Sequence, residues 1–421
     1  MPVVDARVDA RPLCPDAASP LPAVFMNTPL LHPLIYRKRL AQVDNTARPG
    51  DLVAVYVLPD TLFGYGIYNP RSEIAVRMVR LGEQLPDEPF WRGQLAQAVS
   101  LRRDMLRLDD VTDAYRVLHA EADGFPGLVV DRFGDTLSAE CFSLGMFQRS
   151  QEILAMLGPL CGTRHTVIQP GPQSVAHEGF RSEPVLSEGA RSSETISEFG
   201  TRFRIHFEGG HKTGFFCDQR ENRQRLASFC GGRSVLDLCC YSGGFAVQAK
   251  KLGGAEEVTG VDLDEAPLKL ARENAALNQV RVKFVQADVF PYMRDMLRGG
   301  RQFDVVVLDP PKLIRSRAEI EEGTRKHFDL NRLAMQLVKP GGLLLSCTCA
   351  GLLGEAEFIK LLYAAARQAG EPLEKNAGEE FSPRGPRPMQ VIARSGAAAD
   401  HPVASNCPET EYLNAAWMRL G

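Results

Sequence analysis

The chain has 421 residues, of which 44% are hydrophobic and 24% are charged, and its formal net charge is −3. This length exceeds that at which a single hydrophobic core stops growing, so two or three domains are expected. The small net charge excludes general attraction to nucleic acid, and any RNA contact must come from local patches. No apolar run approaches the roughly 18 to 20 residues that span a bilayer, and the first residues lack a signal-peptide pattern. We therefore expect a cytoplasmic protein without membrane contact.

The ten cysteines carry no paired CxxC motifs, and several lie within apolar runs that read as strands. This distribution is typical of reduced thiols rather than of a disulfide framework or a structural zinc site. No metal is expected.

The first half of the chain is predicted to hold two small domains. Residues 1–21 are rich in Pro, Ala and Asp without periodicity, which predicts a disordered tail. Short β-like runs such as DLVAVYVL, FGYGIYNP and EIAVRMV predict a small β-barrel or sandwich over residues 22–88. A linking helix, PFWRGQLAQAVSLRRDML, and a mixture of strand-like and helical pieces then predict an α+β domain over residues 89–207.

From residue 208 to 421, apolar strands alternate with amphipathic helices. The strands are SVLDLCC, EVTGVDL, VKFVQAD, FDVVVLD and GGLLLSC. Such alternation predicts an α/β domain, a doubly wound parallel sheet with helices on both faces. Ligands of such sheets bind at the carboxyl ends of the strands, so the candidate site residues are sought there.

The first strand end, VLDLCCYSGGFAVQA, carries a candidate cofactor loop. Gly243 and Gly244 allow a tight turn and close approach of a ligand, Asp237 can accept a hydrogen bond from an amine, and Tyr241 lies between them. A glycine pair also occurs in many such loops for steric reasons alone. The motif by itself is therefore weak.

The next two strands end in acids. Asp262 follows the glycines by about twenty residues, where an acid binds the hydroxyls of a ribose, and Asp288 is available to an adenine amine. The alternative is that both acids cap helices. Because a Walker lysine and the GxGxxG fingerprint are both missing, adenosine without phosphates fits best, and S-adenosylmethionine (SAM) is the expected cofactor.

The fourth strand ends FDVVVLDPPK. Asp309, Pro310 and Pro311 predict a rigid ledge with an acid at its edge, because proline stiffens the chain and has no N–H. Nucleobase methyltransferases need such a feature to hold a flipped-out base, so Pro310, Pro311 and Lys312 are expected to contact substrate.

The fifth strand ends SCTCAG, with Cys347 and Cys349 on the same face because they are two residues apart. Cys349 is nearer the strand end and the expected ligand crevice. We therefore predict that Cys349 is the nucleophile and that Cys347 is a packing residue.

Several stretches together resemble the bacterial class I, SAM-dependent large-subunit ribosomal RNA methyltransferase I family. They are GGHKTGFFCDQRENR, CYSGGFAVQA, VDLDEAPLKLARENAALN, DVVVLDPPK, RKHFDLNRLAMQLVKPGGLLLSCTCAG and ADHPV, with HPLIY and GYGIYNPRSEIAVRM nearer the start. The resemblance implies a PUA RNA-binding domain, a central α+β domain and a Rossmann-like methyltransferase domain. It also implies 5-methylcytosine formation in 23S rRNA, cysteine catalysis by Cys349 and a homodimer.

The chain departs from the family pattern at three places. It has TCAG where the family more often has SCSG, HPLIY in place of HPWVF, and His327 in place of a tyrosine. These changes leave the chemistry in place but bear on the RNA site that is chosen.

Cytosine C5 is a poor nucleophile, which is why a cysteine is needed. A Cys349 thiolate that adds to C6 makes C5 enamine-like, and Asp309 bonds the base at N3 and the exocyclic amine. The stretch before the first strand is expected to close over cofactor and RNA, with Gln219 contacting the cofactor and Lys212 and Arg220 contacting substrate.

Two other functions remain open from the sequence. One is an RNA guanine or adenine N-methyltransferase on the same fold, which would need no catalytic cysteine. The other is an RNA-binding ribosome assembly factor whose methyltransferase domain is vestigial. The intact glycines, Asp262, Asp309 and Cys349 weigh against the second.

Overall fold

The computed structural model describes residues 9–14, 20–207, 214–370 and 385–421. The chain divides into two compact units. The first comprises residues 1–196, 205–217 and 399–410, and the second comprises residues 197–204, 218–398 and 411–421. Within the described ranges, no helix combines the length and the apolar character needed to cross a membrane.

A six-stranded sheet opens the first unit, in the region predicted to be a small β domain. Its spatial order is β2-β6-β5-β4-β1-β3, and all pairs are antiparallel except β1 with β4. The strands are β1 (Ala23–Met26), β2 (Leu34–Tyr36), β3 (Leu40–Val43), β4 (Leu52–Val57), β5 (Thr61–Tyr68) and β6 (Ile74–Leu81).

Helix α1 (Glu88–Ser100) follows, begun by the Asp87 side chain, which accepts from Phe90 N–H over 3.0 Å. A five-stranded sheet of order β11-β10-β9-β8-β7 comes next, and three α-helices lie between its strands in the sequence. These elements are β7 (Ala114–His119), β8 (Leu128–Phe133), β9 (Thr136–Cys141), α2 (Leu144–Phe147), α3 (Ser150–Cys161), β10 (His165–Pro170), α4 (Ser174–Glu178) and β11 (Val185–Leu186).

One hydrophobic core joins the two sheets of the first unit. It contains Leu52 and Ile67 of the six-stranded sheet, Trp91 and Leu95 of α1, and Leu137 of the five-stranded sheet. The regions predicted as separate domains over 22–88 and 89–207 therefore fall within one compact unit, except for residues 197–204, which belong to the second unit.

The structure differs from the predicted disordered tail where it describes that segment. Leu13 is only 1% exposed and belongs to the same core. Its backbone N–H donates to Glu152 Oε2 over 2.8 Å, so an apolar anchor and a hydrogen bond tie these residues down.

The second unit is the predicted doubly wound α/β domain, which is confirmed. A hairpin of β12 (Ser193–Glu198) and β13 (Thr201–His206) precedes it in the chain. The remaining elements are α5 (Arg220–Ala227), β14 (Ser234–Leu238), α6 (Gly244–Lys251), β15 (Glu257–Asp262), α7 (Glu265–Leu277), β16 (Lys283–Gln286), α8 (Val289–Arg298), β17 (Phe303–Leu308), α9 (Ile320–Leu337), β18 (Val338–Thr348), α10 (Glu355–Ala366), β19 (Met389–Gly396) and β20 (Asn414–Leu420).

These strands form a seven-stranded sheet of order β16-β15-β14-β17-β18-β20-β19. Neighbours from β16 to β18 are parallel, whereas β20 is antiparallel to both β18 and β19. The strand order reverses between β14 and β17, and such a switch point opens a crevice at the carboxyl ends of the strands.

Helices cover both faces of this sheet. Along β17, Val306 and Leu308 pack in a core with α8, α9 and α10, while Val305 and Val307 pack in the opposite core with α5 and α6. Cys347 lies in the second core and Cys349 packs against it, so the two cysteines share a face as predicted.

Candidate active site

The predicted site residues gather at the carboxyl ends of adjacent strands. Asp237 lies in β14, Asp309 directly follows β17, and Cys349 directly follows β18. The parallel register pairs Leu308 with Ser346, so the chain leaves β17 and β18 at nearly the same level. The switch point thus brings together acids and a thiol that are far apart in the sequence.

Asp237 is a buried carboxyl with one unused oxygen. Its Oδ2 accepts from the Ala246 N–H over 3.0 Å, whereas Oδ1 accepts no hydrogen bond from any residue that the structure describes. Burial raises the pKa of Asp237 well above its usual range, the Ala246 hydrogen bond opposes this, and the charges of Asp309 and Asp262 add to it. A cationic amine beside Oδ1 would satisfy both the oxygen and the charge.

The loop from β14 to α6 is strained in the way that functional loops often are. Cys239 and Tyr241, which are not glycines, have φ of 62° and 48°. Gly243 has φ of 79°, and a Cβ there would lie 3.1 Å from Ala271 Cβ and Phe284 Cζ. Glycine at position 243 is therefore explained by its backbone conformation and by the packing around it, in addition to the close approach of a ligand.

Asp262 and Asp288 lie at the ends of the next two strands, and both have local partners. Asp262 Oδ2 accepts from Tyr241 N–H over 2.8 Å and Oδ1 accepts from Asp264 N–H over 3.1 Å. Asp288 caps α8 by accepting from Phe290 N–H over 2.8 Å. The capping alternative is thus realised for Asp288, which is exposed and keeps lone pairs for another donor.

The Asp-Pro-Pro ledge has a buried and an exposed part. Asp309 is half-buried and Pro310 is buried, whereas Pro311 and Lys312 are exposed. Asp309 Oδ2 accepts from Gln219 Nε2 over 3.0 Å, so a side chain that precedes the sheet in sequence holds this carboxyl.

The two cysteines differ in the way that the nucleophile assignment requires. Cys347 is fully buried, and Cys349 is partly exposed. Burial raises the pKa of the Cys347 thiol well above its usual range, the charge of Asp309 adds to the rise, and a hydrogen bond with Gln219 opposes it. Burial and the raised pKa both disfavour a reactive thiolate at Cys347.

The residues predicted to close over cofactor and RNA have varied positions. Lys212 lies outside the described residues. Gln219 is 3% exposed and bonds Asp309 and Asn222 rather than lining an open surface. The Arg220 side chain is fully buried beside Glu221, with Nη2 and Oε1 2.9 Å apart, so this arrangement does not present it to RNA.

Sequence reasoning missed several residues around this site. Arg223 is not on a solvated face, because it is 3% exposed and its Nε and Nη2 donate to Glu198 over 2.7 and 2.6 Å. Asn222, Ser395 and Trp417 continue the hydrogen bonds of Gln219. Only the three-residue spacing of Gln219 and Asn222 at the start of α5 hinted at a shared face.

His401 has a structural setting in the first unit. It is 5% exposed, its Nδ1 lies 3.1 Å from Asp400 Oδ1, and its ring packs edge-on against His119 at 5.2 Å. Asp400 also binds the Arg116 N–H, so the ADHPV turn is fixed by buried polar contacts.

One group of possible metal ligands, His32, Cys407 and Glu409, comes together among the described residues, with ligand atoms within 4.8 Å of one another. His32 Nδ1 accepts from Leu34 N–H over 3.1 Å, which leaves the ring proton on Nε2, 3.0 Å from Glu409 Oε2. Because Nε2 carries the proton, it offers no lone pair to a metal ion. Hydrogen bonds therefore account for the proximity of these three side chains.

The fold and the site define a class I SAM-dependent methyltransferase. A family model described as S-adenosylmethionine-dependent methyltransferase matches residues 158–375, and a PUA-like domain model matches residues 31–80. A methyltransferase crystallised with S-adenosylhomocysteine (SAH) has a similar fold, with a TM-score of 0.73 at 20% identity over 92% of this chain and 95% of that one. SAM is thus confirmed as the cofactor, and the unused oxygen of Asp237 fits its amine.

The chain belongs to the ribosomal RNA large subunit methyltransferase I family. It is 34% identical over 399 residues to the protein of that name from Aeromonas hydrophila, covering 92% of this chain and 95% of the relative. It is also 34% identical over 390 residues to the protein of that name from Photobacterium profundum, covering 91% and 94%. The resemblance found in the sequence motifs is confirmed.

Proposed function

We propose that this protein methylates C5 of a cytosine in large-subunit ribosomal RNA through a covalent adduct with Cys349. The observation that carries the proposal is the contrast between Cys347, in β18, and Cys349, which directly follows that strand. Cys349 is partly exposed where the strand enters the ligand crevice, and Cys347 is fully buried two residues earlier. N-methylation of guanine or adenine would need no thiol at this position.

Ribosomal RNA as the substrate follows from the family and from the PUA-like domain. The relatives from Aeromonas hydrophila and Photobacterium profundum are named for the large-subunit RNA, and the chain covers at least 94% of each. PUA domains bind RNA, and residues 31–80 match that model. We further propose that the protein acts in the cytoplasm and forms a homodimer. Light scattering after size-exclusion chromatography will check the homodimer.

In the first chemical step, the Cys349 thiolate adds to C6 of the cytosine. A C–S bond forms, and the C5–C6 π electrons move to C5 and into the ring, where N3 takes up charge. Asp309 bonds the base at N3 and the exocyclic amine, so it both orients the ring and stabilises that charge. Pro310 and Pro311 keep the carboxyl in place because two prolines leave the backbone little freedom.

SAM, when bound, supplies an electrophilic methyl group to the enamine-like C5. Asp237 would hold the amine of the cofactor and Asp262 its ribose hydroxyls, so the chain would fix the groups on both sides of the sulfonium. Loss of the C5 proton to a base then returns the electrons to the C5–C6 bond and expels the Cys349 thiolate.

Nucleoside mass spectrometry of large-subunit rRNA tests the proposal. A strain lacking the protein is compared with strains that express wild type, Cys349→Ala or Cys347→Ala. We expect 5-methylcytosine to be lost in the deletion strain and restored by wild type and Cys347→Ala, but not by Cys349→Ala. Unchanged 5-methylcytosine, with loss of another methylated base, would sink the assignment of cytosine.

RNA transcribed with 5-fluorocytidine tests the adduct directly. Fluorine replaces the proton that must leave C5, so the methylated intermediate cannot release the enzyme. Wild type and Cys347→Ala should form an adduct that survives denaturing electrophoresis and requires SAM, and Cys349→Ala should not. Adduct formation by Cys349→Ala would contradict the nucleophile assignment.

A further inference from the structure

A continuous line of hydrogen bonds runs from the core of the second unit to Asp309. Trp417 Nε1 donates to Ser395 Oγ over 2.8 Å, and Ser395 Oγ donates to Asn222 Oδ1 over 2.8 Å. Asn222 Nδ2 then donates to Gln219 Oε1 over 2.6 Å, and Gln219 Nε2 donates to Asp309 Oδ2 over 3.0 Å. We refer to Trp417, Ser395, Asn222 and Gln219 as the Asp309 relay.

The direction of each hydrogen bond in the relay is fixed by the Trp417 indole and by the Gly396 carbonyl. The indole N–H of Trp417 can only donate, so the Ser395 hydroxyl accepts there and passes its own hydrogen to Asn222. Asn222 Nδ2 also donates to the Gly396 carbonyl over 3.2 Å, and a carbonyl can only accept. Both amides are therefore oriented by the network, and Gln219 must present its N–H to Asp309.

Burial keeps water from replacing Trp417, Asn222 and Gln219 in the relay. Trp417 is fully buried, and Gln219 and Asn222 are each 3% exposed. Gln219 also bonds the buried Cys347 thiol, which holds the same amide from the neighbouring strand. A buried polar network whose members are satisfied specifies a single arrangement of its side chains.

We infer that the Asp309 relay positions the base-binding carboxyl for catalysis. The Gln219 N–H donates to Oδ2, which favours Oδ1 as the oxygen that carries a proton toward N3 of the base. The relay also sets the plane of the carboxyl. Gln219, Asn222 and Ser395 are thus positioning residues, an inference that rests on the proposed role of Asp309.

Asn222→Asp tests the inference because it reverses the direction of one hydrogen bond in the relay with almost no change in side-chain shape. The introduced carboxylate cannot donate to Gln219 Oε1, so the Gln219 amide turns and presents its oxygen to Asp309. We expect kcat on rRNA from the deletion strain to fall about 10- to 100-fold, the scale of a slightly misplaced group. The SAM Kd should stay within about twofold, because no cofactor contact changes.

A pH profile separates positioning from damage to the fold. When protonated, the carboxyl introduced by Asn222→Asp donates again to Gln219, so the relay regains its direction. The ratio of variant to wild-type kcat should therefore rise as the pH falls from about 8 to about 6, since burial raises the pKa of such an acid. A structural defect would give a flat or falling ratio.

Asn331→Asp is the matched control. Asn331 accepts from Ser346 Oγ over 2.6 Å and donates to the His327 carbonyl over 2.8 Å, as Asn222 does with Ser395 and Gly396, but it has no hydrogen bond to Gln219. We expect it to lower the free energy of unfolding while leaving kcat per folded molecule and its pH profile unchanged.

If Asn222→Asp does not fold, Ser395→Ala serves instead, since Ser395 is only half-buried. It should lower kcat several-fold at unchanged SAM Kd, with Ser346→Ala as its control. Equal kcat for a relay variant and its control would overturn the inference. If wild type methylates another base, the proposed function fails, and the ratio of relay variant to control still decides whether the relay acts.

Discussion

The backbone N–H of Ala246 binds one oxygen of Asp237 and leaves the other, Oδ1, buried with no hydrogen bond from any described residue. A helix start thus holds a carboxyl that is itself only 1% exposed. Such an arrangement costs stability in the unliganded protein and favours binding of a cation. If Asp237 binds the cofactor amine as proposed, the cofactor site is built at the expense of the fold.

Asp237→Asn should separate these two effects. The amide oxygen can still accept from Ala246, while the buried charge is removed. Because folding raises the pKa of Asp237, its ionisation destabilises the wild type increasingly as the pH rises above 3.8. We expect the variant to gain about 1 to 3 kcal/mol near pH 8, less near pH 5, and to bind SAM roughly 10- to 100-fold more weakly.

Urea unfolding at both pH values and calorimetric titration with SAM measure the two effects. Asp295→Asn, an exposed carboxyl on α8, is the control and should change neither. A variant that binds SAM normally would remove Asp237 from the cofactor site.

Asp262→Ala should weaken SAM binding by roughly 10- to 100-fold, because the variant loses the acceptors for the ribose hydroxyls. The discriminating ligand is an SAH analogue without the 2′-hydroxyl. Wild type should bind SAH better than this analogue, and Asp262→Ala should bind the two about equally. Asp264→Ala is the control, since the side chain of Asp264 is exposed and makes no cap bond with α7. Retained discrimination in Asp262→Ala would exclude the ribose contact.

Glu198→Gln should destabilise the second unit by about 3 to 5 kcal/mol, because it removes the negative charge of Glu198 from the buried Arg223 guanidinium. Glu198 is fully buried and also accepts from Gln248 Nε2 over 2.7 Å. The matched control, Glu265→Gln, breaks an exposed pair with Arg272 and should cost less than about 1 kcal/mol. Chemical denaturation of both variants gives the comparison, and equal losses would show that burial of the pair is immaterial.

His327→Gln should flatten the pH dependence of stability. Burial lowers the pKa of His327 to about 4 from 6.5, so the folded state resists protonation. The wild type should lose about 3 kcal/mol from this residue as the pH falls from 6.5 to 4, and the variant should not. The glutamine side chain can still hydrogen-bond to Thr348 Oγ1, which lies 3.2 Å from His327 Nε2 in the wild type. Urea unfolding across this range is the measurement, with the exposed His177→Gln as the control; equal slopes in wild type and His327→Gln would refute the assignment.

The sequence by itself determined the α/β domain and the order of its strand ends. Strand–helix alternation requires a covered parallel sheet, and parallel strands deliver their carboxyl ends to one edge. Asp237, Asp262, Asp309 and Cys349 could therefore be assigned to a common site. That Cys347 and Cys349 share one face of the sheet likewise follows from their two-residue spacing and the strand period.

Only the tertiary structure decided what holds these residues. Gln219 bonds Asp309 across 90 positions, and Asn222 bonds Ser395 across 173, which no local period encodes. The same holds for Arg220, which was expected to contact RNA, and for Arg223, since both are buried beside acids. Spacing reveals the direction of a side chain relative to its own element, whereas burial and hydrogen-bond partners depend on which elements pack together.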